Sequence, residues 1–221
     1  MKKLMGTMVC LFACIAVMTG CSNTDADFQA KDYRADGTKI QAIEMHLEDR
    51  KIQIERSEDE QIHVDYYESE KEFYDITEDG GTLKIVSKTD KGWTDYIGGK
   101  ASAEKRTIVL RLPDYKLSSL SLSTTNEDVS LPVLEVTEGV SISVNNGGIT
   151  FEPLSVGSYL ELEAKNGDIR GTVVGGYDDF SISCQVKKGN CNLPEEKAGG
   201  EKSLTAAVNN GDIDIEISKS H

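Results

Sequence analysis

One turn is written five times in this chain, and the residues around it fall into columns. Taking Asn126, Asn146, Asn166, Lys188 and Asn210 as reference positions gives spacings of 20, 20, 22 and 22 residues. Six residues before the reference stand Leu120, Val140, Leu160, Ile182 and Leu204; four before, Leu122, Ile142, Leu162, Cys184 and Ala206; two before, Thr124, Val144, Ala164, Val186 and Val208. Three after come Val129, Ile149, Ile169, Cys191 and Ile213, and five after, Leu131, Phe151, Gly171, Leu193 and Ile215. The positions in between are polar. Period two on both arms of a turn describes strands with one dry and one wet face. Asn-Gly at the turn supplies residues that tolerate positive φ. Beyond each turn a weaker apolar pair recurs, Leu134 and Val136, Leu154 and Val156, then Val174, and the fourth repeat breaks at PEEKAGGEK.

Two all-β folds share this alternation. Asn-Gly between alternating strands suits an antiparallel meander. A meander leaves the dry face of a broad sheet open unless a second layer covers it, and no amphipathic helix is legible to do so. A β-solenoid, or single-stranded β-helix-like stack, instead turns both arms of each rung toward one shared core. Rungs of 20–22 residues, each stacked on the one before at roughly 4.8 Å, place like residues above like and let corner asparagines bond to one another. The expected fold is therefore a β-solenoid. Its open last rung is then IDIEIS, whose acids discourage edge pairing.

The first half carries the pattern more loosely. Ile43, Met45, Leu47, Ile52 and Ile54 match the five columns around Asp49, and Tyr74, Ile76, Leu83 and Ile85 match them around Gly80. QIHVDYY and RTIVLRLP add two further alternating runs, and residues 88–105 read as a long interrupting loop.

The N-terminus has a different texture. Lys2 and Lys3 precede an uncharged apolar run, Leu4–Met18, too short for a membrane-spanning helix. Met18-Thr19-Gly20-Cys21 follows and resembles the bacterial lipobox, which implies cleavage before Cys21 and lipidation of its thiol. The expected organisation is a lipoprotein signal peptide over 1–20, the lipidated Cys21 and a tether over 21–38, and the solenoid over 39–217. Such a chain is exported and anchored facing outward, in an outer membrane where the cell has one. Besides Cys21, the mature chain keeps Cys184 and Cys191, an even pair on opposite arms of one turn that permits a disulfide in an exported protein.

Charge and motif content exclude several functions. The whole chain carries a formal charge of −14, and without Lys2 and Lys3 the 22 remaining bases face 38 acids, a side-chain charge of −16. That balance argues against nucleic acid as a partner. His46 and His63 alternate with inward residues and point outward, and no pair of the three histidines has ligand spacing. Gly-x-Ser-x-Gly, the P-loop and Gly-x-Gly-x-x-Gly are all missing. No catalytic residue, metal site or cofactor is expected. One row of turn residues, Asp128, Gly148, Asp168, Asn190 and Asp212, offers oxygens that suit Ca²⁺, but Asp and Asn also cap tight turns through their own backbone. Trp93, the single tryptophan, and Tyr96 lie in the long loop and form a candidate ligand-contact site.

The run IVLRLPDYKLSSLSLSTTNEDVSL, followed by apolar-x-apolar segments ending in Asn-Gly-Asp-Ile, resembles the bacterial putative-adhesin domain family of unknown function. The texture departs from the family's at Asn126-Glu127-Asp128 and Lys188-Gly189-Asn190. The resemblance implies a β-helix-like fold and an envelope location; some members are associated with envelope-stress responses, and the family has no catalytic residues to carry over. The expected function is a non-catalytic, adhesin-like module, held to the membrane by its lipid and meeting an envelope glycan or protein. The alternatives are an accessory regulator of an envelope-stress sensor and a carbohydrate-active enzyme built on a β-helix.

Overall fold

A computed structural model describes residues 25–93, 100–114 and 117–219. Seventeen strands and no α-helix occur among them. They are β1 (Gln29–Asp36), β2 (Ala42–His46), β3 (Lys51–Arg56), β4 (Gln61–Glu68), β5 (Glu72–Asp79), β6 (Thr82–Thr89), β7 (Thr107–Leu112), β8 (Leu117–Thr124) and β9 (Val129–Leu131). They continue as β10 (Leu134–Asn146), β11 (Ile149–Val156), β12 (Tyr159–Asn166), β13 (Ile169–Val174), β14 (Phe180–Lys188), β15 (Glu196–Lys197), β16 (Lys202–Asn210) and β17 (Ile213–Ser218).

The rungs stack in parallel with the columns in register. Leu120, Val140, Leu160 and Leu204 are successive partners, as are Leu122, Ile142, Leu162 and Ala206. On the other arm Val129, Ile149, Ile169 and Ile213 align. These residues are buried in one continuous core, which Ile43, Met45, Leu47, Ile52 and Ile54 of the first rung share. The fold is thus a β-solenoid, and the meander is excluded because its neighbours would run antiparallel. A short third wall closes each rung: Val136 pairs with Leu117 and Val156, and Leu134 with Leu154. Val173, not Val174, continues this wall opposite Leu154 and Ile217. The slip occurs because Phe151 pairs with Gly171 while Leu154 pairs with Val173, so three steps on one strand answer two on the next. Gly171 is required there, since a Cβ would lie 2.4 Å from the Phe151 ring.

The stacking order departs from chain order at both ends. Along the first arm it runs β6, β2, β8, β10, β12, β16, β14. The first rung in sequence lies between the second and third, and the last lies between the fifth and sixth. The expectation that each rung sits on its predecessor therefore holds only for the middle of the stack. IDIEIS is not the open end either: β17 packs on β13, and Cys191 bridges to Ile213 from its other side. Because every rung offers the same columns, side-chain pattern cannot tell which neighbour follows. The 3₁₀ turn Tyr177–Asp179 after β13 carries the chain past one level.

Two further expectations are corrected at the N-terminal end. The turn at Gly80 is an antiparallel hairpin between β5 and β6, so Tyr74 and Ile76 cover the core edge rather than form an arm. The second rung consists instead of β6 and β7, paired with β2 and β3, and the expected loop over 88–105 begins only after Thr89, since Lys88 and Thr89 belong to β6. The segment assigned to a tether also contains β1, which pairs antiparallel with β4 over eight residues. With β4 on β7, this end of the stack is sealed by antiparallel strands that satisfy its edge. Burial of the hairpin also encloses Arg50, which is 3% exposed. Its guanidinium donates to Tyr74 Oη and Glu72 Oε2, both at 2.7 Å, and to the Asp49 carbonyl. Burial alone would raise the Glu72 carboxyl, but Lys91 and Arg50 together hold it below the usual carboxylate range.

Candidate functional site

The corner ladder concentrates the repeated polar chemistry. Asn146 Nδ2 donates to Asn126 Oδ1, Asn166 to Asn146, and Asn210 to Asn166, at 2.7, 2.7 and 2.6 Å. Asn126 in turn donates to the Asp49 carboxylate. All four amides point the same way, so their dipoles run head to tail toward an anion that only accepts. Lys188 occupies the reference position beside Asn210, at the oxygen end of the series. The departures from Asn at these two positions therefore match the ladder's polarity. Asp49 is also the one residue other than glycine with positive φ, at 54°, among the described residues.

The glycines beside the ladder follow from close approach. A Cβ on Gly167 would lie 2.0 Å from the Gly147 carbonyl oxygen, and one on Gly211 2.2 Å from that of Gly167. Their φ values, +152° and +147°, also disfavour a side chain. The carboxylate row beyond them is engaged with backbone. Asp128 accepts from Gly148 N, Asp168 from Asp212 N, and Asp212 from Asn190 N, each at 2.8 Å. This is a turn-capping arrangement, one carboxylate per neighbouring rung, and among the described residues no group of three or more His, Cys, Asp or Glu is placed to hold a metal ion.

The outward face of the first arm is flat and polar. Ser121 and Ser123 lie beside Ser141 and Ser143, which lie beside Glu161 and Glu163. Glu44 and His46 continue the two rows on one side, and Thr205 and Ala207 on the other. Sheet geometry spaces these groups at about 4.8 Å between rungs and about 6.8 Å along a strand. His46 Nδ1 lies 3.0 Å from Ser123 Oγ, and His63 Nε2 lies 2.8 Å from Asp59 Oδ1; the two imidazoles belong to separate surfaces. A cleft of about 540 Å³ beside β1, β4 and β7 contains Arg111, whose guanidinium is taken up by Glu55 and Asp65.

Trp93 is 78% exposed. Tyr96, its companion in the candidate contact loop, lies outside the described residues, as does Cys21. Cys184 and Cys191 are joined by a disulfide across the turn of β14. The sequence did not reveal the Asp25–Ser102 contact: Asp25 Oδ1 accepts from Ser102 N at 2.7 Å, tying the segment before β1 to the far end of the Trp93 loop. No local pattern marks a bond across 77 residues.

Comparison with known proteins agrees with this architecture. A family model described as Toastrack DUF4097 matches residues 40–221. No curated protein matches the sequence. Among solved structures, a putative cell adhesion protein from Clostridium sporogenes superposes with a TM-score of 0.56 at 10% identity, over 86% of this chain and 99% of that one. A putative adhesin from Bacteroides fragilis gives 0.33 at 11% identity over 86% and 97%, and a putative lipid binding protein from Parabacteroides distasonis gives 0.37 at 11% over 89% and 98%. The likeness to the first is one of fold alone.

Proposed function

Because the chain belongs to the Toastrack DUF4097 family, we propose that it is a lipid-anchored protein of the cell envelope whose solenoid is a non-catalytic, adhesin-like binding or structural module. The observation that carries this reading is the division of polar groups between corner and face. The corner amides and carboxylates bond from rung to rung, whereas the outward face carries regular rows of serines, of which Ser143 is exposed, Ser121 and Ser141 are part-exposed and Ser123 is engaged by His46. A flat array of donors and acceptors suits an extended polar partner, an envelope glycan or a protein strand, better than a small substrate that needs a concave site. The lipobox at Cys21 supplies the anchor in this reading, and the overall acidity keeps the module soluble above the membrane.

The test is photo-crosslinking from position 143 in cells, with Ser121→Lys/Ser141→Lys as the blocked-face control. Crosslinks to envelope glycan or protein that the blocked face loses support the reading; an identical crosslink pattern overturns it. Crosslinks confined to one membrane protein would favour the accessory-regulator alternative. For the anchor, incorporation of labelled fatty acid that Cys21→Ser abolishes is expected, and equal labelling of both chains excludes it.

A further inference from the structure

We infer that the surface carrying Trp93 and Phe73 rests on the bilayer to which Cys21 is anchored, so that the β1 end of the solenoid faces the membrane. The inference rests on the lipid anchor proposed above. It begins from length. The sequence suggested a tether over 21–38, but Asp25 is already fixed to Ser102 N at 2.7 Å. At about 3.5 Å per residue, the four steps from Cys21 to Asp25 reach roughly 14 Å at most. The stack itself, seven rungs plus the strands that seal its end, extends about 40 Å at roughly 4.8 Å per level. A lipid on Cys21 therefore brings the sealed end to the headgroups and leaves the β14 end remote from them.

The surface at that end is suited to the position. Trp93 belongs to the same loop as Ser102 and is 78% exposed, and Trp is favoured at a membrane–water interface, where its ring is half buried and its N–H stays wet. Phe73, 40% exposed, pairs with Lys88 at the root of the loop, so an aromatic and an amine share one side of the sheet edge. The bases around Trp93 are ion-paired within the protein, Lys91 with Glu72, Lys100 with Asp49, Lys105 with Glu104 and Arg106 with Glu127. The contact with the headgroups is therefore aromatic rather than ionic. The Ser102 N–H also holds the Asp25 carboxyl below the usual carboxylate range, so the clasp keeps its charge at neutral pH.

Trp93 is the only tryptophan and reports its own surroundings. The full lipidated chain is reconstituted into vesicles of phosphatidylethanolamine and phosphatidylglycerol, with and without bromine on the upper acyl chain. The expected result is a blue-shifted emission quenched roughly two-fold by the brominated lipid, as befits an interfacial ring. A chain that floats with the vesicles yet shows unquenched, solvent-like emission overturns the inference while leaving the anchor standing. A chain that does not float and has an unmodified Cys21 by mass overturns the anchor and this inference with it. Inserting about 20 Gly/Ser residues after Thr24 should reduce the quenching several-fold by diluting the loop from the surface. Quenching unchanged by that insertion would overturn the role given to the short tether.

Discussion

Asn210 donates to Asn166 across 44 residues of sequence, and Lys188 between them takes no part in the amide ladder. The ladder therefore follows the spatial order of the rungs rather than the chain. Replacing Asn166→Ala removes one bond on each side and interrupts the aligned dipoles. The expected loss is about 1–2 kcal/mol, read as a lower urea midpoint with unchanged slope. Lys188→Ala, at the ladder's oxygen end, should change stability by less than about 0.5 kcal/mol.

Close approach and positive φ can be separated by two substitutions. Gly167→Ala sets a Cβ 2.0 Å from the Gly147 oxygen, whereas Gly80, φ +56°, has open space around it. Gly80→Ala should cost about 1 kcal/mol through backbone conformation alone. Gly167→Ala should cost at least about 3 kcal/mol, because two rungs must separate. Equal costs in denaturant melts would show that rung contact is unimportant.

Arg50 is the buried cation of the N-terminal cap, with side-chain exposures of 3% for it and 15% for Glu72. Arg50→Met removes one of the two cations that hold the Glu72 carboxylate, leaving it to Lys91, and takes the donor from Tyr74; the expected loss is about 3 kcal/mol. The double substitution Arg50→Met/Glu72→Gln should recover part of that loss, and a thermodynamic cycle measures the coupling.

The tie between β1 and β5 responds to alkali. Tyr33 Oη donates to Glu78 at 2.6 Å, and that bond pushes its pKa up to about 12. A raised folded pKa gives stability that is complete below the unfolded value near 10 and disappears as pH climbs through about 12. Burial raises the pKa of Tyr66 and Tyr74 as well, so ultraviolet titration should show a late-ionising group of tyrosines from which Tyr33→Phe removes one.

The disulfide between Cys184 and Cys191 encloses a short loop with a sequence separation of 7. Chain entropy assigns such a loop about 2 kcal/mol. Cys184→Ser/Cys191→Ser should lower the thermal midpoint accordingly, and a non-reducing peptide map should contain the linked pair.

The columns around Asn146 and Asn166 were legible because side-chain period and turn chemistry are local properties. Their inward positions, Val144, Ala164 and Val208 among them, are buried as the alternation requires. Order along the stack was not legible. Leu160 is met as well by Ile182 as by Leu204, so nothing in the pattern distinguishes a neighbour 22 residues away from one 44 away. The capping strands were obscured for another reason: β1 has a burial pattern with one buried residue in eight, and hairpin β5–β6 mimics a rung around Gly80. At the candidate contact surfaces, Ser121 and Ser141 were visible only as polar residues between apolar ones. The clasp from Asp25 to Ser102 depends on tertiary placement that no spacing encodes.

The exchanged rungs at the ends of the stack also constrain how the chain reaches its native state. A polypeptide delivered amino end first can close the middle levels as they emerge, through β13. Strand β14 then finds no native parallel neighbour until β16 arrives, because β16 stands between it and β12. The segment from β14 to β17 must consequently settle as a unit once β16 and β17 have been made, and a truncation within β16 would leave β14 to add itself to β12 out of place.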